Sequence, residues 1–170
     1  HRTGLCITEL EPHHQEDTMR TTARVQGAVG DGSLIVPVVD SIGIGGGVID
    51  RLRELKVTVL AYTGAARTDA RDRSNELGFA NVRSAAYWHI RELLDPAYGS
   101  ELMLPPNDLL ISDLNTPTWT VVSGVPPRIQ LEKKEDLVKR MGRSPDNGDA
   151  VVMAYWPVDS MSYDTSMSWV

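Results

Sequence analysis

The chain has one cysteine, Cys6, among its 170 residues. One thiol cannot build an internal disulfide framework, so a disulfide-stapled scaffold is excluded and a reducing cytoplasm fits. No apolar run is long enough to span a membrane. The start carries no secretory signal pattern, and the first residue is His1 rather than Met, which reads as a processed or excised piece. No GxxxxGK(S/T) pattern is present, which excludes a P-loop ATPase within these residues. Cations are in deficit: the formal net charge is -6. A nucleic-acid binder is more often basic, so this charge counts against a DNA partner. An acidic balance still leaves room for an anionic partner where the cations gather on one face. Lys133, Lys134, Lys139, Arg140 and Arg143 are gathered in this way.

What is there suits one soluble domain with a real core, since 41% of residues are hydrophobic and 24% charged. Gly4 to Leu10 alternates and predicts a strand. Asp17 to Val29 predicts a helix capped by Asp17. Leu34 to Val39 is a continuous apolar run, the pattern of a buried parallel strand, interrupted at Pro37. Gly47 to Leu55 carries Val48, Leu52 and Leu55 at helical spacing, and Val57 to Ala61 predicts the next strand. That is a strand-helix-strand unit with a right-handed crossover. Thr63 to Gly78 reads as a mobile polar loop. Asn81 caps a helix running to Leu94, stopped at Asp95-Pro96. Asn107 to Leu114 is a short helix. Trp119 to Ser123 and Arg128 to Leu131 form a hairpin, and Lys134 to Met141 a helix. Ser144-Pro145 reads as an N-cap followed by proline at the first helical position. That last helix runs to about Trp156. Residues 157–170 have no period and read as a flexible tail suited to a partner.

Three acids stand out. Asp40 ends the apolar strand and precedes Ser41-Ile42-Gly43-Ile44-Gly45-Gly46-Gly47. Carboxyl ends of strands in α/β sheets are the usual place of function. Asp146 and Asp149 are three residues apart in the first turn of the last helix, on one side of it. Its dipole favours their ionised form. Carboxylates on a strand tip and a nearby helix are what Mg²⁺ and Mn²⁺ need, because both prefer hard oxygen ligands. The bland alternative stays open: helix-start acids and a turn-forming acid serve structure alone. The almost wholly apolar stretch Ala150 to Trp156 predicts a buried helix, which favours acids aimed at a shared site.

The remaining candidates divide quickly. Gly43, Gly45 and Gly47 give GxGxG, not the dinucleotide GxGxxG, because position 48 is Val; these glycines read as sites of close backbone approach to a helix or a phosphate. A small-molecule enzyme using that turn would show an apolar pocket beside it. His13-His14 lack a partner at ligand spacing and read as loop residues. Tyr87, Trp88 and His89 read as packing groups. Arg83, near a helix start, could meet a phosphate.

Four segments in order resemble the C-terminal nuclease domain of a phage or prophage terminase large subunit. They are Val38 to Leu52, Asn81 to Ala85, Arg128 to Lys134 and Ser144 to Ala150, within a span of about Gly4 to Trp156. The resemblance implies an α/β, ribonuclease H-like mixed sheet flanked by helices, with residues 1–156 as the nuclease domain. It implies metal-dependent cutting of double-stranded DNA during viral genome packaging in the host cytoplasm. An ATPase domain and portal or small-subunit partners come with it, and no membrane. Asp40 matches the family's second catalytic acid, Asp146 its third, and Asp149 a neighbouring acid. Two Mg²⁺ or Mn²⁺ ions would be held there. Lys133 falls near a basic position of the family. Lys134, Arg143 and Arg83 complete the cations expected to hold the DNA backbone. The departure is at the front. Gly4 to Leu10 matches the family's third strand, so two strands and a first catalytic Asp are expected to be missing. The alternative is therefore a non-catalytic DNA-binding or packaging-complex docking module.

Overall fold

A computed structural model describes residues 2–3, 6–11, 17–30, 35–99 and 102–156. His13-His14 and the tail after Trp156 lie outside these residues. The element order is β1 (Arg2–Thr3), β2 (Cys6–Ile7), α1 (Thr18–Val29), β3 (Val38–Asp40), α2 (Ile44–Glu54), β4 (Leu60–Tyr62), β5 (Gly78–Phe79), α3 (Val82–Leu94), α4 (Asp108–Asn115), β6 (Trp119–Val122), β7 (Arg128–Leu131), α5 (Lys134–Met141) and α6 (Asp146–Tyr155). None of these helices is long and apolar enough to cross a membrane.

The expected strand-helix-strand unit is present. β3 and β4 pair in parallel, with Asp40 opposite Tyr62, and α2 makes the crossover. The ladder begins at Val38 rather than Leu34. Pro37 has no N–H to give, but its carbonyl accepts from Leu60 N at 2.9 Å, so it ends the ladder without leaving a void. α2 starts three residues earlier than its apolar spacing predicts, at Ile44. Gly45 permits this start, because a Cβ there would overlap the Asp40 carbonyl. Gly47 lets α1 approach, since its Cβ would lie 3.1 Å from Thr18 Cγ2. The glycine-rich turn thus serves close packing of helices against the strand end.

The hairpin is also as expected. β6 and β7 are antiparallel, and β7 pairs on its other edge with β5 in parallel. Gly4 to Leu10 differs from expectation. Its described part forms a short antiparallel pair with Arg2–Thr3, and Ile7 N donates to Met103 O at 3.0 Å. The segment 63–77 is irregular yet closely bonded. Gly64 and Ala66 offer carbonyls to Arg83 N and Val82 N, two of the donors that a helix start leaves unpaired. Asp72 accepts from Leu77 N at 2.8 Å and from the Ser74 hydroxyl at 2.5 Å.

Two cores form. The larger joins Tyr62, Phe79, Ala85, Ala86, Tyr87 and Ile90 to Leu110, Ile129, Val151, Val152, Tyr155 and Trp156, so it lies between α3, α4, α6 and the strands. The smaller packs Val48, Ile49 and Leu52 of α2 on Val59. Ser84 stitches α3 to the hairpin, its hydroxyl accepting from Leu131 N at 3.1 Å.

Asn81 caps α3 as its sequence position predicts. Its side-chain oxygen accepts from both Ser84 N and the Ser84 hydroxyl at 2.9 Å. Asn81→Ala should therefore lower stability by about 1–2 kcal/mol. The midpoint of a urea titration would read it, and an unchanged midpoint would refute the capping role.

Candidate active site

Asp40 reaches the site because β3 ends there. Its Oδ1 accepts from Ile42 N at 3.1 Å, a local turn that aims the carboxylate out of the ladder, and the residue stays partly exposed. Beside it, Ser41 N donates to Tyr62 O at 2.8 Å, and the Ser41 and Thr63 hydroxyls lie 2.7 Å apart.

The second acid comes from α6, which packs against β3, α3 and α4. Asp149 accepts from the Tyr87 hydroxyl at 2.6 Å on Oδ1 and from Lys134 Nζ at 2.7 Å on Oδ2. Arg83 sits over the Tyr87 ring, 5.0 Å from its centroid, and its Nη1 donates to Glu132 O at 2.8 Å. Tyr62, buried under Gly64 and across the ladder from Asp40, completes the group. Burial, reinforced by the nearby Asp149 charge, pushes both the Tyr62 and Tyr87 hydroxyls above the ordinary tyrosine range. Asp40 adds to the effect on Tyr62, and Arg83 opposes it at both rings. Both hydroxyls are therefore neutral at pH 7, and that of Tyr87 donates to Asp149.

Asp146 is in the first turn of the same helix, as expected, and is exposed. The turn starts one residue later than the sequence suggests. Pro145, not Ser144, occupies the cap, and its carbonyl receives Asp149 N at 2.8 Å. No side chain of the cap residue bonds the turn. Instead Gly148 N donates to Asp113 Oδ2 at 3.0 Å, from the neighbouring α4.

The four expected DNA-contacting cations have separate fates. Lys133 is exposed at the cap of α5. Lys134 is on Asp149, and Arg83 packs on Tyr87. Arg143 turns inward: Nη1 is 2.6 Å from Asp113 Oδ1, and Nη2 donates to Leu109 O at 3.3 Å. Sequence reasoning missed the engagement of Tyr87 and Tyr62, which sit at ordinary core positions. It also missed Asp113, a lone acid in a short helix. A buried acid opposite a helix start is invisible until the helices are placed.

The donors suit a hard divalent cation in kind, being carboxylates at a partly exposed mouth. Among the described residues, however, no group of three or more His, Cys, Asp or Glu side chains is gathered closely enough to hold a metal alone. A cavity of about 540 Å³ lies elsewhere, between Arg67, Arg71, Phe79, His89 and Trp156, rather than beside Gly43 to Gly47.

The fold is α/β, a mixed sheet flanked by helices, and it is shared with solved nuclease domains of a phage large terminase subunit. One solved relative is the nuclease domain of the large terminase subunit gp2 of bacterial virus Sf6. It has 19% sequence identity and a TM-score of 0.58, with 80% of this chain and 69% of that one covered. A lysine-to-alanine mutant of the same domain with manganese gives 19% identity and 0.58, covering 80% and 70%. The mutant with manganese and beta-thujaplicinol gives 19% and 0.57, covering 80% and 69%. At this identity the likeness establishes the shared fold. No family model and no curated protein matches the sequence.

The raised tyrosines give a pH prediction. Their folded form holds the proton that the unfolded chain releases near pH 10, so stability is intact below about pH 10 and falls as pH rises above it. Tyr87→Phe should flatten this fall between pH 10 and pH 11. Denaturant midpoints at pH 8, 10 and 11 would measure it, and identical slopes in the two proteins would count against a buried Tyr87 hydroxyl.

Proposed function

We propose that this chain is the nuclease part of a viral genome-packaging enzyme, hydrolysing phosphodiester bonds of double-stranded DNA. The observation that carries the reading is that α6, which bears Asp149 on Tyr87, packs against β3, whose carboxyl end bears Asp40, in a fold shared with terminase nuclease domains. Asp40 and Asp146 would hold Mg²⁺ or Mn²⁺, with Asp149 in support; the full reading has two ions. When bound, such ions supply Lewis-acid polarisation of the phosphoryl oxygen and a more acidic water.

The chain's own side chains do the rest. Asp40, open to solvent on one side, is placed to orient a water or accept its proton. Asp149 is held in one rotamer by two donors, so the site is organised before DNA arrives. Lys133 takes a backbone phosphate from solvent, a contact that positions DNA without reading sequence. Lys134 and Arg83 meet a phosphate by exchanging the partners they now have. Arg143 contributes by holding α6 in place. The setting this reading implies is the host cytoplasm, beside an ATPase domain and the portal or small subunit.

One observation favours a second reading, a DNA-binding or docking module without catalysis. Asp149 is neutralised by Lys134, and the described acids do not form a three-donor group.

Incubation with supercoiled plasmid and Mn²⁺ tests the first reading. The chain should nick the plasmid, and Asp40→Ala should reduce nicking below detection while its circular dichroism is unchanged. Nicking that survives in Asp40→Ala would overturn the assignment of Asp40. A folded chain that never nicks, yet binds DNA with strong salt dependence, would favour the module.

A further inference from the structure

We infer that Asp113 is a positioning residue for the acid site: through the first turn of α6 it fixes where Asp149 stands. Asp113 is on α4, is completely buried, and belongs to neither group of acids expected to do chemistry. Its two oxygens do different things. Oδ2 accepts the Gly148 N–H at 3.0 Å, taking the place of the side-chain cap that Pro145 cannot supply. Oδ1 faces the Arg143 guanidinium at 2.6 Å, the charge partner that a buried carboxylate needs. Arg143 is only three residues before Asp146, so the pair clamps α6 from both its entry loop and its first turn.

The contact has no slack. A Cβ on Gly148 would lie 2.7 Å from Asp113 Cβ and 3.3 Å from its carbonyl carbon. Glycine at this position lets the two helices touch backbone to side chain. Gly148 immediately precedes Asp149, so a shift that breaks the Asp113 contact also moves the next residue. Asp149 must meet Tyr87 Oη at 2.6 Å and Lys134 Nζ at 2.7 Å at the same time. Those distances tolerate displacements of only a few tenths of an ångström before the hydrogen bonds weaken. Burial of Val151, Val152 and Tyr155 holds the apolar side of α6 in the core, while the hydrogen bond from Gly148 is the contact next to Asp149 itself.

The consequence for DNA cleavage rests on the nuclease reading; the consequence for Asp149 does not. The test therefore has two readouts. The first is the ammonium ¹H–¹⁵N signal of Lys134, which is protected while its ion pair with Asp149 persists. Asp113→Ala should lose it in a chain that remains folded by circular dichroism. Asp113→Asn keeps the shape and an acceptor for Gly148 N–H, and should retain it. Leu52→Ala, in the smaller core away from α6, should lower stability and leave the signal in place. If Asp113→Ala does not fold, Gly148→Ala replaces it, with the same loss expected. A signal unchanged in Asp113→Ala, lost in Asp113→Asn, or lost in Leu52→Ala as well, would overturn the proposal and leave Asp113 a general stability residue.

The second readout applies when the wild-type chain nicks DNA. Asp113→Ala should then lower kcat about a hundredfold, the cost of a displacement near 1 Å, with KM for DNA unchanged. A matching rise in KM with kcat intact would overturn it. A wild-type chain that does not nick sinks the nuclease reading, and the ammonium signal still decides the role of Asp113.

Discussion

Everything at the site follows from the seating of α6. Its residues Val151, Val152 and Tyr155 are buried against α3, α4 and β3, each burial contributing roughly 1.5–3 kcal/mol. That term is large but non-directional, so close packing and polar contacts must set how far the helix slides or turns. Direction comes from the polar contacts at its start. The Gly148 amide on Asp113, and Arg143 beside it, stop the helix at one height. Removing Arg143 would leave the Asp113 carboxylate buried without its charge partner, which costs far more than losing a surface pair.

The β3–α2–β4 unit supplies the opposite wall. Parallel pairing puts Asp40 and Tyr62 at the same level, and the chain must leave the strand at once to make its crossover. Gly45 allows that exit by letting the helix start against the Asp40 carbonyl. The same packing that brings α2 over the strand therefore leaves the Asp40 side chain at the rim rather than inside. Carboxylates at such rims are common in α/β proteins because the crossover opens a crevice there.

Charge at the site is balanced locally even though the chain is acidic. Asp149 faces Lys134 and lies near Arg83, and two buried tyrosines offer neutral hydroxyls. In a partly desolvated place a carboxylate without such partners would be costly to hold. Lys134 would also compete with any cation for Asp149 Oδ2, so occupancy there is an exchange of partners.

The sequence by itself determined the periodic features. Continuous apolar runs, helical spacing and cap residues specify α1, α2, α3, α5 and the hairpin, because each depends on neighbours within a few positions. Asp17 and Asn81 act as caps for that reason. Asp40 was also legible, since a strand end followed by glycines is a local pattern. What tertiary structure decided is everything that spans distant segments. Pro37 reads as an interruption until Leu60 N, on the neighbouring strand, donates to its carbonyl. Ser144 reads as a cap until Asp113, thirty-one positions earlier, takes over that function. Lys134 and Arg143 read alike as basic residues before a helix. One pairs with Asp149 at the mouth and the other with Asp113 in the interior. A side chain's charge is written in the sequence, but its partner is set by which helix is packed beside it.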